Sequence, residues 1–310
     1  MPLQSISRGL TDLSDLKLAY FFALLHTLIT GLSFLFTKTA LKFAGPIDVL
    51  AFRFTASIIA MIVPIMLKRI HINFAGKNLF QVCSLALLYP IAFFLFQTLG
   101  LVYATSSEGG ILQAVTPIFT MILAAVFLKE KTTSYQKFSI LLSVAGVVYI
   151  FVMKGAGLDL TEVLGITLLL LSSIASAGYH VLTRITVRQF SITEVSFVMT
   201  LLGFVFFNTV AIISHFLNGS ANQFLAPLQN LEFVISILYL GILSSLVTSL
   251  LNNYILKKIE AAKVSVFGNL RTIVTIIAGV YILKEQLFLY HIIGSLMIIL
   301  GVLGTNYVGS

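Results

Sequence analysis

Charge is scarce in this chain. Only 10% of its 310 residues are Asp, Glu, Lys or Arg, whereas 58% are hydrophobic and the mean hydropathy is +1.05. That balance excludes a soluble globule of ordinary composition, in which about a quarter of the residues are charged. Cysteine occurs once, as Cys83, which excludes an intrachain disulfide framework and reads as a small core side chain. No carboxylate lies deep in an apolar run, so a carboxylate-based proton relay and a buried receptor for a lipophilic cation are both disfavoured. There is no HExxH pair, no nucleotide-binding motif and no serine in a nucleophile context. An intramembrane enzyme and a transporter driven by its own ATP hydrolysis therefore lack their residues, and neither a metal nor a cofactor is expected.

What the chain does have is long apolar runs. A hydrocarbon core of about 30 Å needs about 20 apolar residues at helical rise. Ten runs of that kind are found, at Leu18 to Thr39, Ile47 to Leu67, Leu79 to Val102, Gly109 to Leu128, Tyr135 to Met153, Val163 to Thr183, Ile192 to Phe216, Phe233 to Leu256, Val264 to Leu283 and Leu289 to Val308. They are continuous rather than alternating, which points to helices and not to a barrel. The first run is too long for a signal peptide and is preceded by Asp12 and Asp15 as well as Arg8 and Lys17, so it is expected to be retained.

The surplus of basic residues, a net charge of +8, sits in the breaks between runs and reads as a topology signal rather than a nucleic-acid footprint. With the N-terminus inside, thirteen Lys and Arg fall in inner segments and four, Lys38, Lys42, Lys154 and Lys284, in outer ones. Both termini are expected to be cytoplasmic, in a bacterial inner membrane. The expected partners are the bilayer and a small solute, with a homodimer left open.

The sequence also repeats. Shifted by 155 residues, Leu128, Lys129, Glu130, Tyr135, Leu141, Gly146 and Val147 fall on Leu283, Lys284, Glu285, Tyr290, Leu296, Gly301 and Val302. Upstream a shift of 146 lays Asp48 on Glu194, and the difference fits an insertion between Asn218 and Asn230. Five runs per repeat is an odd number, so the second repeat would enter the membrane from the opposite side. The expected fold is all-α and integral to the membrane: a tail at residues 1–17, a five-helix repeat at 18–153, an external linker at 154–162 and an inverted five-helix repeat at 163–308.

Gly31 and Lys38 at the end of the first run, Arg53 in the second, Pro117 in the fourth, the two LKE triplets and the glycines Gly146, Gly294 and Gly301 carry a resemblance. Together with the duplicated ten-run pattern, they make the chain similar to the drug/metabolite transporter superfamily, in its ten-helix form with two EamA-type repeats. The resemblance implies a secondary transporter that works by alternating access between inverted repeats. The chain departs from the pattern where Thr116 and Pro117 are matched by Arg271 and Thr272, and where Gly294 is matched by Ser139.

Arginine at mid-depth in a helix costs about 2.5 to 3.5 kcal/mol on insertion scales and normally faces a partner or a cavity. Arg271 is therefore the first candidate to receive a solute anion, with Arg53 a second candidate or a structural cation. Gln113 and Asn269 can orient a zwitterion or hold helices together. His26 and His180 are candidates for proton coupling, or histidines satisfied by backbone carbonyls. Gln97 and Thr98, matched by Asn252 and Asn253, lie near helix ends and suit gates, as does Glu108 at a cavity mouth. The expected function is secondary transport, with efflux favoured, of small polar or amphipathic metabolites such as amino acids and related organic acids. An exchanger of phosphorylated or other anionic metabolites is the alternative, and a channel is a reading from a different class.

Overall fold

The computed structural model describes residues 2–69, 72–74, 76–129, 133–154, 160–186, 190–248, 251, 255 and 261–307, and the side chains of most of these. Among them every regular element is helical. In chain order they are α1 (Pro2–Ala40), α2 (Pro46–Met66), α3 (Leu79–Ala86), α4 (Phe93–Tyr103), α5 (Ser106–Gln113), α6 (Thr116–Phe127), α7 (Ser134–Lys154), α8 (Leu160–Thr186), α9 (Ile192–Leu217), α10 (Leu231–Leu238), α11 (Ala261–Tyr281) and α12 (Leu289–Tyr307). Helix α1 begins at Pro2 rather than near Leu18, since proline at a first helical position gives up only an N–H that the helix would not use.

Seven helices among the described residues are long and apolar enough to cross a membrane, and an eighth is reached if the bent pair 221–229 and 231–247 is one span. The expected ninth and tenth runs are apolar helices that are shorter over the described residues, Leu270–Tyr281 and Leu289–Gly304. Large apolar side chains such as Phe21, Ile59, Phe80, Leu87, Phe138, Leu141 and Phe216 are exposed around the bundle. In water such a surface would aggregate; in a bilayer it is the lipid face.

The most extensive helix pairings join the two halves of the chain: α7 with α12, α4 with α8, α2 with α9 and α1 with α11. The halves interleave and share a core. Phe34, Leu101, Leu112 and Leu169 form one buried cluster, and Val82, Leu85, Val195 and Met199 form another.

Small residues set the closest approaches. A Cβ at Gly146 would stand 2.8 Å from the Gly294 carbonyl, and one at Gly31 would stand 2.7 Å from Val274 and 3.0 Å from the Arg271 carbonyl. Without a strong hydrophobic drive between helices in lipid, such contacts supply the van der Waals attraction that holds them. Thr275 adds a bond across the second seam by donating to the Gly31 carbonyl at 2.8 Å. Gly31 thus seats the helix that carries Arg271.

The repeated LKE has a backbone meaning. Lys129 and Lys284 both adopt left-handed conformations, with φ of 55° and 57°, just past the ends of α6 and α11. The N–H of Glu285 returns to the Gly279 carbonyl at 3.1 Å, closing the end of α11. Each LKE therefore follows a helix end with a left-handed lysine, and in the second the reversal throws Glu285 back toward the bundle.

Replacing Gly146 by leucine is expected to separate α7 from α12 and cost about 1–3 kcal/mol by overpacking. The check is a thermal midpoint in detergent, with lipid-facing Val148→Leu as the variant that leaves it in place.

Candidate functional site

Two spans depart from α-helical geometry at matched places, called breaks below, the first at a non-helical residue and the second in a π-helical stretch. The span Leu79–Tyr103 is α-helical to Ala86, passes through a π-helical turn at Leu87–Ala92 and resumes as α4. Pro90 has no N–H to give the helix, and Tyr89 sits at φ −142°, ψ 118°, well outside helical geometry. In the second half, Tyr239–Val247 is also π-helical. Under the shift of 155 found in the sequence, residues 87–92 fall on 242–247, inside that second break. Hydroxyls serve the second break locally: Ser245 donates to the Leu240 carbonyl at 3.0 Å and Thr248 to the Ser244 carbonyl at 2.9 Å.

Between the breaks lies a cavity of about 420 Å3. Its wall takes His26 and Thr30 from α1, Phe54, Ser57 and Met61 from α2, Tyr89 and Pro90 from the first break with Phe93 and Phe94 from the start of α4, Ser176, Tyr179 and His180 from α8, Ser196, Met199 and Thr200 from α9, Ser244, Ser245 and Leu246 from the second break with Thr248 just after it, and Arg271 from α11. Met61 is near the end of α2, Ser196 near the start of α9, and Thr248 at the end of the second break, so the cavity occupies one half of the bundle's depth. A wider hollow of about 560 Å3 is lined by Phe43, Gln223, Gln229 and Asn230; it is a dip in a surface connection and carries no charged wall.

Arg271, His26 and His180, three of the sequence candidates, share this cavity. The Arg271 guanidinium has no hydrogen-bond or ion-pair partner among the described residues, and its charge acts on His26 and Tyr89. His180 Nε2 lies 3.4 Å from the Ser176 hydroxyl.

Arg53 does not line the cavity. It is 3% exposed, with its guanidinium 4.0 Å from the centroid of the Phe94 ring and 3.5 Å from the Ser244 hydroxyl. Of the two arginines, the cavity wall therefore takes Arg271 and not Arg53, which sits against Phe94.

The amide candidates divide. Gln113 is buried away from the cavity, donating to Ser172 at 2.8 Å and accepting from Thr116 at 3.2 Å. Thr116 also donates to the Gln113 carbonyl at 2.8 Å, the acceptor stranded by the missing N–H of Pro117. The position matched to Arg271 is therefore spent on mending a helix in the first half. Gln97 and Thr98 are buried within α4. Asn252 and Asn253 lie outside the described residues, as does the side chain of Asn269.

Sequence reasoning missed the aromatic wall of Tyr89, Phe93, Phe94 and Tyr179. Pro90 inside an apolar run was the available signal, since it marks a break, and a break in a span belongs beside a cavity. Among the described residues no group of three His, Cys, Asp or Glu converges as a metal site.

The EamA-like transporter family matches the sequence twice, over residues 17–152 and 163–307. This chain belongs to the EamA-like transporter family. It is 48% identical over 288 residues to the uncharacterized transporter YcxC of Bacillus subtilis (strain 168), covering 93% of this chain and 92% of that protein. An uncharacterized transporter of Archaeoglobus fulgidus is 30% identical over 274 residues, covering 88% and 92%. A solved protein structure at 14% identity superposes with a TM-score of 0.62, over 93% of this chain and 96% of its own, and bears on the fold alone. The chain is a multi-pass membrane transporter.

In this EamA-like transporter the end of the bundle opposite the cavity is closed by polar contacts. Glu285, thrown back by the second LKE, accepts from the N–H groups of Ser106 at 2.6 Å and Ser107 at 3.0 Å, and from the Ser107 hydroxyl at 2.6 Å. A carboxylate there satisfies orphan donors and complements the dipole at the start of α5. Lys38 does the converse for α4, donating to the carbonyls of Leu101 at 2.6 Å and Ala104 at 2.7 Å. Glu108 belongs to this end and not to the cavity mouth: it forms a capping box with Thr105 and stands 3.5 Å from His291 Nε2. The Phe288 N–H donates to His291 Nδ1, which leaves the imidazole proton on Nε2, toward Glu108. At the cavity's own end of the bundle, Glu194 pairs with Lys77 at 2.5 Å and caps α9 through Ser191.

Glu285→Ala leaves two α5 amides and a hydroxyl without their acceptor and is expected to cost about 1–3 kcal/mol. Exposed Glu232→Ala should stay within about 0.5 kcal/mol; thermal unfolding of the two variants in detergent gives the comparison.

Proposed function

We propose that this chain is a secondary transporter that exports small polar or amphipathic metabolites, amino acids or related organic acids, by alternating access. The observation that carries the reading is the unpartnered Arg271 in a cavity bounded by two breaks at matched places in the two halves. Uncovered guanidinium in an apolar setting is costly unless a ligand or water meets it, and an anionic group of the solute is its natural counter-charge.

In this reading ten spans form two five-helix repeats of opposite orientation. The double family match and the pairing of helices across the halves support it. Exchange of the two halves maps the pairing of α3 with α8 onto that of α1 with α10. With both termini cytoplasmic, the end closed by Glu285 and Lys38 is external and the cavity belongs to the inward side. Opening outward would require those contacts to part while the other end closes. His26 and His180 on the cavity wall are then the candidate proton carriers. Exchange of phosphorylated metabolites is less well served, because Arg53 is not among the lining residues, which leaves one arginine on the wall for a multiply charged head.

The test is uptake by purified protein in liposomes against amino acids, organic acids and sugar phosphates, with and without a pH gradient. Saturable flux is expected for at least one amphipathic acid, to fall at least tenfold in Arg271→Ala and to persist in part in Arg271→Lys. Unchanged flux in the alanine variant would remove Arg271 from the path.

A further inference from the structure

A transported amino acid brings an ammonium group as well as a carboxylate, and the cavity treats the two differently. Resting on the transporter reading and narrowing its two solute classes to the organic acids, we propose that the solute is an aromatic monocarboxylate without an amine.

Charge is the first ground. No Asp or Glu is among the cavity's described lining residues. Four carboxylates among the described residues are committed elsewhere: Asp48 to His215 at 3.1 Å, Glu194 to Lys77, Glu108 to its capping box and Glu285 to α5. The wall instead carries Arg271 and has a second guanidinium, Arg53, immediately behind it with a buried Nε that has no partner. Two cations and no anion among the described residues give the cavity a positive field. That field holds a carboxylate and repels an ammonium, which would enter without a counter-charge.

Shape is the second ground. Tyr89 stacks on Tyr179 with ring centroids 5.0 Å apart and meets Phe93 at 5.1 Å and Phe94 at 5.3 Å, so one side of the cavity is a continuous aromatic surface. Aromatic faces ordinarily attract cations as well as rings. Here Arg53 already occupies Phe94 at 4.0 Å, which draws down that ring's negative quadrupole and leaves the wall better suited to a flat π-system than to an ammonium. A volume of about 420 Å3 falls within the size of small-molecule sites.

The chain has no tryptophan, so the emission of an indole ligand can be followed without background from the protein. Three probes share one ring and differ only in charge: indole-3-propionate, tryptophan, which adds the amine, and tryptamine, which lacks the carboxylate. With the full-length protein in nanodiscs, indole-3-propionate is expected to bind at least tenfold more tightly than tryptophan, and tryptamine not to bind. Arg271→Ala should weaken indole-3-propionate at least tenfold and Arg271→Lys less. Should the alanine variant fail to fold, Phe93→Leu serves in its place, and is expected to weaken indole-3-propionate more than cyclohexylpropionate. Tryptophan binding as tightly as indole-3-propionate, tryptamine binding, or no binding of indole-3-propionate would each overturn the proposal. Saturable flux of any other solute in the liposome panel would then leave the transporter reading standing, so the two failures are distinguishable.

Discussion

In hydrocarbon no water is present to take up a stray backbone N–H or C=O, so every break in a spanning helix must be served from within the protein. The rest of this structure follows from where that obligation is relaxed. The third span breaks at Leu87–Ala92 and its counterpart at Tyr239–Val247, and both breaks border the cavity that holds Arg271, whose guanidinium has no partner among the described residues. Where no cavity is needed, the obligation is met by side chains, as when Thr116 takes the carbonyl that Pro117 strands. The two halves thus use matched positions differently: the first spends Thr116 on repair, and the second presents Arg271 to the cavity.

The same accounting distinguishes the two ends of the bundle. Glu285 and Lys38 supply an anion to a helix start and a cation to a helix end, so the backbone at the closed end is satisfied by charged side chains from other helices. Such contacts are strong while made, yet each can be replaced by water when the end opens, because both partners are polar. A seal built this way can open and close; a seal of interlocked apolar side chains would have to expose them.

Much of the architecture was legible in the sequence because hydropathy and duplication are one-dimensional signals. The apolar runs, the small residues of α7 and α12, and Arg271 as a cavity residue all follow from composition and spacing. What a sequence does not carry is the rotation of each helix about its axis. Arg53 and Arg271 look alike as intramembrane cations, but one is turned against Phe94 and the other into the cavity. Gln113 takes the helix-holding one of its two expected roles, and Glu108 lies away from the cavity mouth, because their partners Ser172 and His291 lie far off in sequence. The LKE repeat was visible, but its use was not: the carboxylate of Glu285 acts on Ser106 and Ser107 in the other half.

The central claim is that one half of the bundle's depth is a solute cavity while the other is sealed. Its most direct test is cysteine labelling on a Cys83→Ser background, comparing Ser245→Cys on the cavity wall with Ser106→Cys under Glu285. In proteoliposomes of known orientation, a membrane-impermeant maleimide should reach Ser245→Cys from the cytoplasmic side and be slowed by a transported solute, while Ser106→Cys stays unlabelled from either side. Equal labelling of the two positions, or a silent Ser245→Cys, would contradict the account.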